Sequence, residues 1–139
     1  MLQLLLVEDN EKLRPALCAG LEATREVQLL HACDSGEKAL DFCLGDNAVR
    51  PDVVLMDVQL ADVMNGIEAA ARIAIERPDI PIIMFSLHLS EEVVNRFKTG
   101  SIRGAVAKSE AARDLVDAVR VVLKGGTFFP DRRSHGANG

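Results

Sequence analysis

Tryptophan and tyrosine are absent from the 139-residue chain, and aromatic residues make up only 4% of it. A surface that stacks nucleic-acid bases on rings has little to be built from here. Positive charge is scarce too. Sixteen Lys and Arg stand against 21 Asp and Glu, giving a net charge of −5 and a pI of about 5.2. The first basic cluster is Arg132-Arg133, near the end. The expectation is that this chain binds no nucleic acid by itself, because phosphate neutralisation needs a positive face. The three cysteines, Cys18, Cys33 and Cys43, form no CxxC pair. An odd count without ligand spacing reads as reduced thiols of the cytosol, used as small apolar filler. His31, His88 and His135 stand too far apart for a local zinc motif. The opening MLQLLLVEDN has no basic flank and ends in acid, unlike a signal peptide. No run approaches the ~20 apolar residues of a membrane span. A cytoplasmic location and no membrane contact are the expectations. A nucleophilic Ser-His-Asp set, an HExxH zinc motif and a glycine-rich phosphate loop are likewise missing. An ordinary enzyme of small metabolites is therefore not expected.

What the sequence does have is hydrophobicity, at 48%, in a regular arrangement. A core of Leu, Val, Ile and Ala in one domain fits this length. Short apolar runs at Leu2–Val7, Val27–Cys33, Val53–Met56, Pro81–Phe85 and Ala105–Ala107 read as strands. Helical patterns lie between them. Leu13, Leu17 and Leu21 form a stripe at spacing four. Further helices run from Lys38 to Leu44 after the Asp34-Ser35-Gly36 turn, and from Ile67 to Glu76 before Pro78. A fourth helix starts at Ser90, with Glu91 and Glu92 in its first turn, and ends at Gly100. The last spans Ala111 to Lys124 and stops at Gly125-Gly126. Strands alternating with crossover helices imply an α/β fold with a parallel sheet covered on both faces. The doubly wound, flavodoxin-like (βα)5 arrangement with five strands ordered 2-1-3-4-5 fits this pattern. Residues 1–126 form the expected domain, and 127–139 a tail or the start of a linker.

Ligands of open parallel sheets bind beyond the carboxyl ends of the strands. Glu8 and Asp9 follow the first run, Asp57 the third, Ser86 the fourth and Lys108 the fifth. Taken singly, each has an ordinary explanation as a turn, cap or solvated residue. Together they bring acids, a hydroxyl and an ammonium to one sheet edge. Converging carboxylates repel, so a cation or a proton must join them. Oxygen-only ligands favour a hard ion such as Mg²⁺. Nucleophile, metal and donors are the parts of phosphoryl transfer onto a carboxylate.

The segments LLLVEDN, VVLMDVQL, IIMFS and AVAK resemble the signature segments of response-regulator receiver domains of two-component signalling. Ser86-Leu87-His88, Lys108-Ser109-Glu110 and LKGGTFFP are similar to the NarL/FixJ-like branch. The resemblance implies that Asp57 is the phosphoacceptor, served by a histidine kinase, with Ser86 as the switch hydroxyl and Lys108 as its charge partner. It implies Mg²⁺ (or Mn²⁺) on Asp9, Asp57 and the backbone carbonyl of Gln59, with Glu8 acting through water. Gln59 and His88 are implied to set the rate of dephosphorylation. Such a module catalyses only its own phosphorylation and dephosphorylation, so it is no enzyme in the usual sense. The implied readout is a surface of the fourth helix, fifth strand and last helix. Further implications are a phosphorylation-dependent homodimer, or control of transcription through an output domain outside this sequence. Ala105 departs from the family pattern, in which many members carry an aromatic, and Ala61 and Ser109 stand where prolines are usual. Two alternatives remain at this point. One is a phosphorylation-independent pseudo-receiver that serves as an interaction module. The other is a flavodoxin-like binder of flavin or nucleotide.

Overall fold

The structure is a computed structural model, and it describes residues 1–45, 50–58, 60, 64–86, 102–107 and 112–129. The predicted fourth helix at 90–100 and residues 130–139 lie outside them. Five strands, β1 (Leu2–Val7), β2 (Val27–Cys33), β3 (Val53–Asp57), β4 (Ile82–Ser86) and β5 (Ile102–Ala107), form one sheet in the order β2-β1-β3-β4-β5. All pairings are parallel. The helices among the described residues are α1 (Leu13–Ala23), α2 (Gly36–Leu44), α3 (Gly66–Glu76) and α4 (Ala112–Leu123). The flavodoxin-like doubly wound fold is thus the one read from the sequence.

The central strands read as unbroken apolar runs because both of their faces are covered. Successive residues point to opposite sides. Leu5, Val7, Val54, Met56, Ile82 and Met84 pack with Ala39 and Cys43 of α2 and Ala69, Ala70 and Ile73 of α3. Leu4, Leu6, Leu55, Ile83 and Phe85 pack with Leu21 of α1 and Leu115, Val116 and Val119 of α4. Each fully buried Leu or Ile stabilises the fold by roughly 1.5–3 kcal/mol. Pairs such as Arg50–Asp79 and Lys38–Asp34 lie in solvent, where water and salt screen them. The two apolar layers therefore decide the architecture.

Helix starts are set by side-chain caps. Ser35 accepts from Lys38 N–H at the head of α2. Asn65 and Glu68 form a reciprocal capping box on α3. At the far end of the chain α4 closes with Gly125 N–H donating to Val122 O and Gly126 N–H to Val121 O.

The fifth strand corrects a predicted boundary. It begins at Ile102, three residues before Ala105. Ile82 pairs with Ile102 and Ile83 with Gly104, so Arg103 is an extra residue opposite β4. A bulge with an exposed Arg and a Gly carries no alternating apolar signal. Beyond it, residues 127–129 lie along the outer edge of β5, where Phe128 bridges Gly104 in parallel.

Candidate functional site

Glu8 directly follows β1, Asp57 is the last residue of β3, and Ser86 is the last of β4. Asp57 pairs in register with Phe85, and Ser86 with Ala107. The parallel order therefore brings these strand ends to one edge of the sheet. Glu8 and Asp57 are fully buried, Ser86 is 3% exposed and Asp9 is half-buried. Carboxylate oxygens of Glu8, Asp9 and Asp57 lie within 4.8 Å of one another. Like charges about 4 Å apart repel by about 4 kcal/mol at an effective dielectric of 20. Three ionised acids at this spacing call for a cation. The all-oxygen donor set suits a hard divalent ion that keeps part of its water shell.

The acids are held by their own loop. Glu8 N–H donates to Cys33 O at 3.0 Å. Glu8 Oε2 accepts from Asn10 N–H at 3.0 Å. Asn10 Oδ1 in turn accepts from Lys12 N–H and Leu13 N–H at 2.9 and 2.8 Å, which starts α1. From the first turn of α1, Arg14 Nη1 donates to Glu8 O at 2.9 Å. Two consequences follow. The acid pair is fixed relative to β1, and the first amides of α1 are already engaged by a side chain.

Asp57 is supported from the opposite side. Val58 N–H donates to Phe85 O at 2.9 Å, tying the end of β3 to β4. Gly66, the first residue of α3, donates to Val58 O at 3.1 Å. A Cβ on Gly66 would fall 1.7 Å from Asp57 O. Only a residue without a side chain lets α3 pass this close to the backbone of Asp57.

Arg14, Asn10 and Gly66 were not among the residues singled out from the sequence. The capping pattern at Asn10 could have been read there. The reach of Arg14 and the approach of Gly66 are tertiary facts with no sequence signal. Gln59, His88 and Lys108, three of the residues implied by the resemblance, lie outside the described residues, as do Ala61 and Ser109. No helix among the described residues is long and apolar enough to cross a membrane.

The nearby titrating groups are orderly. The Lys38 ammonium hydrogen-bonded to Asp34 holds that carboxyl below its ordinary range. Burial pushes the Cys33 and Cys43 thiols up to about 11, so both are neutral filler of the α2/α3 layer.

Residues 4–120 match the family described as the Response regulator receiver domain. The chain belongs to that family. It is 27% identical over 128 residues to the response regulator protein VraR of Staphylococcus aureus, covering 92% of this chain and 59% of VraR. The chain thus spans about three fifths of that relative. The signal receiver domain of a modulated diguanylate cyclase from Desulfovibrio desulfuricans G20 superposes with a TM-score of 0.74 at 31% identity. That match covers 88% of this chain and 94% of the other. The isolated receiver domain of RcsB from Salmonella enterica serovar Typhimurium, solved with the phosphomimetic BeF₃⁻, superposes with a TM-score of 0.79 at 20% identity, over 96% of each chain. The NarL/FixJ-like branch read from the sequence is the branch of VraR and RcsB. This receiver is a signalling module of two-component systems rather than an enzyme of metabolites, and its acidic cluster is of the kind in which receivers hold Mg²⁺.

Proposed function

We propose that this receiver takes a phosphoryl group on Asp57 from the phosphohistidine of a partner histidine kinase. The observation that carries the reading is the convergence of Glu8, Asp9 and Asp57 beside Ser86 at one edge of the sheet. An Asp57 carboxylate oxygen attacks phosphorus in line. The P–O bond forms as the P–N bond breaks, and its electron pair stays on the departing imidazole nitrogen. Asp9, Asp57 and the Gln59 carbonyl would hold Mg²⁺ or Mn²⁺, with Glu8 acting through water, and the ion supplies charge neutralisation. Arg14 and Asn10 keep the acids in place through the loop they tie. Lys108 offsets charge on the transferred group, and Ser86 Oγ binds one of its oxygens. Gln59 and His88 set how fast water removes it. The acyl phosphate adds about −1.5 to −2 charge, by analogy with other phosphorylated residues. That charge biases the surface of the fourth predicted helix, β5 and the last helix toward a partner or a second copy.

The flavin or nucleotide alternative is disfavoured by the first turn of α1. Asn10 already takes the amides that a phosphate would need. The pseudo-receiver alternative is separated by experiment. Incubation with acetyl phosphate and Mg²⁺, read by intact mass, is expected to add one phosphate to the wild type and none to Asp57→Asn. Equal addition to both proteins, or none to the wild type, overturns the reading.

A further inference from the structure

β5 carries little side-chain bulk where it meets the end of the chain. Gly104 and Ala105 are its middle residues, and residues 127–129 lie against their outer edge. Phe128 N–H donates to Arg103 O at 2.9 Å, and Ala105 N–H donates to Phe128 O at 2.9 Å. A Cβ on Gly104 would stand 3.0 Å from that same Phe128 oxygen and 3.4 Å from Ile83 Cγ1. A side chain there would press on that oxygen, so glycine gives the segment its close fit. Since Phe128 is opposite Gly104, Phe129 follows opposite Ala105. The two rings straddle the sheet. Phe128 packs against the α1/α4 layer, and Phe129 against the α2/α3 layer that contains Ala105.

The same short strand reaches the acidic site. Ala107, two residues beyond Ala105, pairs with Ser86, and Phe85 before it pairs with Asp57. Resting on the phosphoryl-transfer reading, we propose that residues 127–129 are a detachable edge strand whose hold on β5 reports the state of Asp57. The bridge at Gly104, with its two backbone hydrogen bonds, and two half-buried rings hold the segment at the sheet's edge. It is fitted to the present position of β5. When Ser86 Oγ is drawn to a phosphoryl oxygen, the end of β4 shifts and Ala107 moves with it. The bridge at Gly104 then loses its alignment, and the rings leave the edge. Ala105 gives β5 no ring of its own on this face, and Phe129, an aromatic ring packed against the same layer, can transmit the change.

The test is amide exchange at Phe128 by NMR on the full 139-residue chain. With Mg²⁺ and BeF₃⁻, exchange of Phe128 N–H is expected to accelerate about tenfold in the wild type, the effect of losing one backbone hydrogen bond at the sheet's edge. It should not change in Asp57→Asn. Gly104→Ala should accelerate the same amide without BeF₃⁻ while phosphate uptake from acetyl phosphate stays at the wild-type rate. Unchanged Phe128 exchange in a wild type that does take up phosphate overturns this proposal and leaves the phosphoryl reading standing. Absence of uptake by the wild type removes both. Wild-type exchange in Gly104→Ala also overturns it, because the close approach would not be what secures the segment.

Discussion

The carboxyl ends of β1 and β3 and the outer edge of β5 solve opposite problems with opposite materials. At the acid end, the Glu8 and Asp57 side chains are buried; Glu8 Oε2 accepts from Asn10 N–H, and the backbone around both acids is tied to Cys33, Arg14 and Phe85. The middle of β5 is small, at Gly104 and Ala105, and, among the described residues, 127–129 are laid on its edge through the parallel bridge at Phe128. Burying Glu8 and Asp57 is costly unless their surroundings are prearranged, so that end must be stiff. An edge that is to change with the state of the site must be weakly held. On the reading proposed above, the stiff end carries the chemistry and the edge of β5 the reporting.

The hardest blow to the stiff end is Gly66→Ala. In an ordinary first turn of a helix alanine is no worse than glycine. Here its Cβ meets Asp57 O, and α3 or β3 must move. A loss of about 3 kcal/mol in urea unfolding is expected, at the upper end of overpacking costs. A stabilised protein would refute the close approach. Arg14→Ala comes next. Loss of the Arg14 donor to Glu8 O, a half-buried charged hydrogen bond, should lower stability by about 1 kcal/mol and weaken Mg²⁺ binding measured by calorimetry. Arg14→Gln keeps a donor and should recover most of both. If Gln and Ala behave alike, the positive charge and not the tie to Glu8 is what counts.

The smallest effect probes the dry interior of the α2/α3 layer. Cys33, whose carbonyl accepts from Glu8 N–H, has its thiol raised from 9.0 to about 11 mainly by burial, and so does Cys43. The unfolded thiols ionise at lower pH than the folded ones. Between about 9 and 11 the unfolded state therefore binds fewer protons, and stability falls as pH rises. At pH 9.5 a loss of about 0.5 kcal/mol per thiol is expected. Cys33→Ala,Cys43→Ala should flatten this part of the urea-denaturation pH profile. An unaltered slope would show that the two thiols are solvated.

The sheet order and four of the strands were legible because period-two burial on two faces leaves runs such as LLLV and VVLM that no surface element needs. The convergence of Glu8, Asp9, Asp57 and Ser86 was legible because parallel topology alone carries strand ends to one edge. β5 was read three residues short. Arg103 and Gly104 are shaped by a bulge and by Phe128, a residue 24 positions beyond Gly104 (128 − 104). Gly66 looked like any loop glycine, since its necessity comes from the position of Asp57 O and from nothing nearby in sequence. The same holds for Arg14, which appears on the helix as one more solvated charge.

The bridge at Phe128 also bears on how this molecule avoids templating its own kind. Open rims of unpaired N–H and C=O groups invite foreign strands and, in the extreme, cross-β stacking. The β5 rim is plugged by the chain's own backbone. The β2 rim is defended differently. Gln28 and His31 project there exposed, the His31 ring lies stacked on Phe42 with centroids 4.9 Å apart, and the register slips between Leu4 and Leu5. One rim is occupied and the other is roughened. Loosening the plug would therefore make the sheet one-sidedly adhesive, with growth directed from β5 alone.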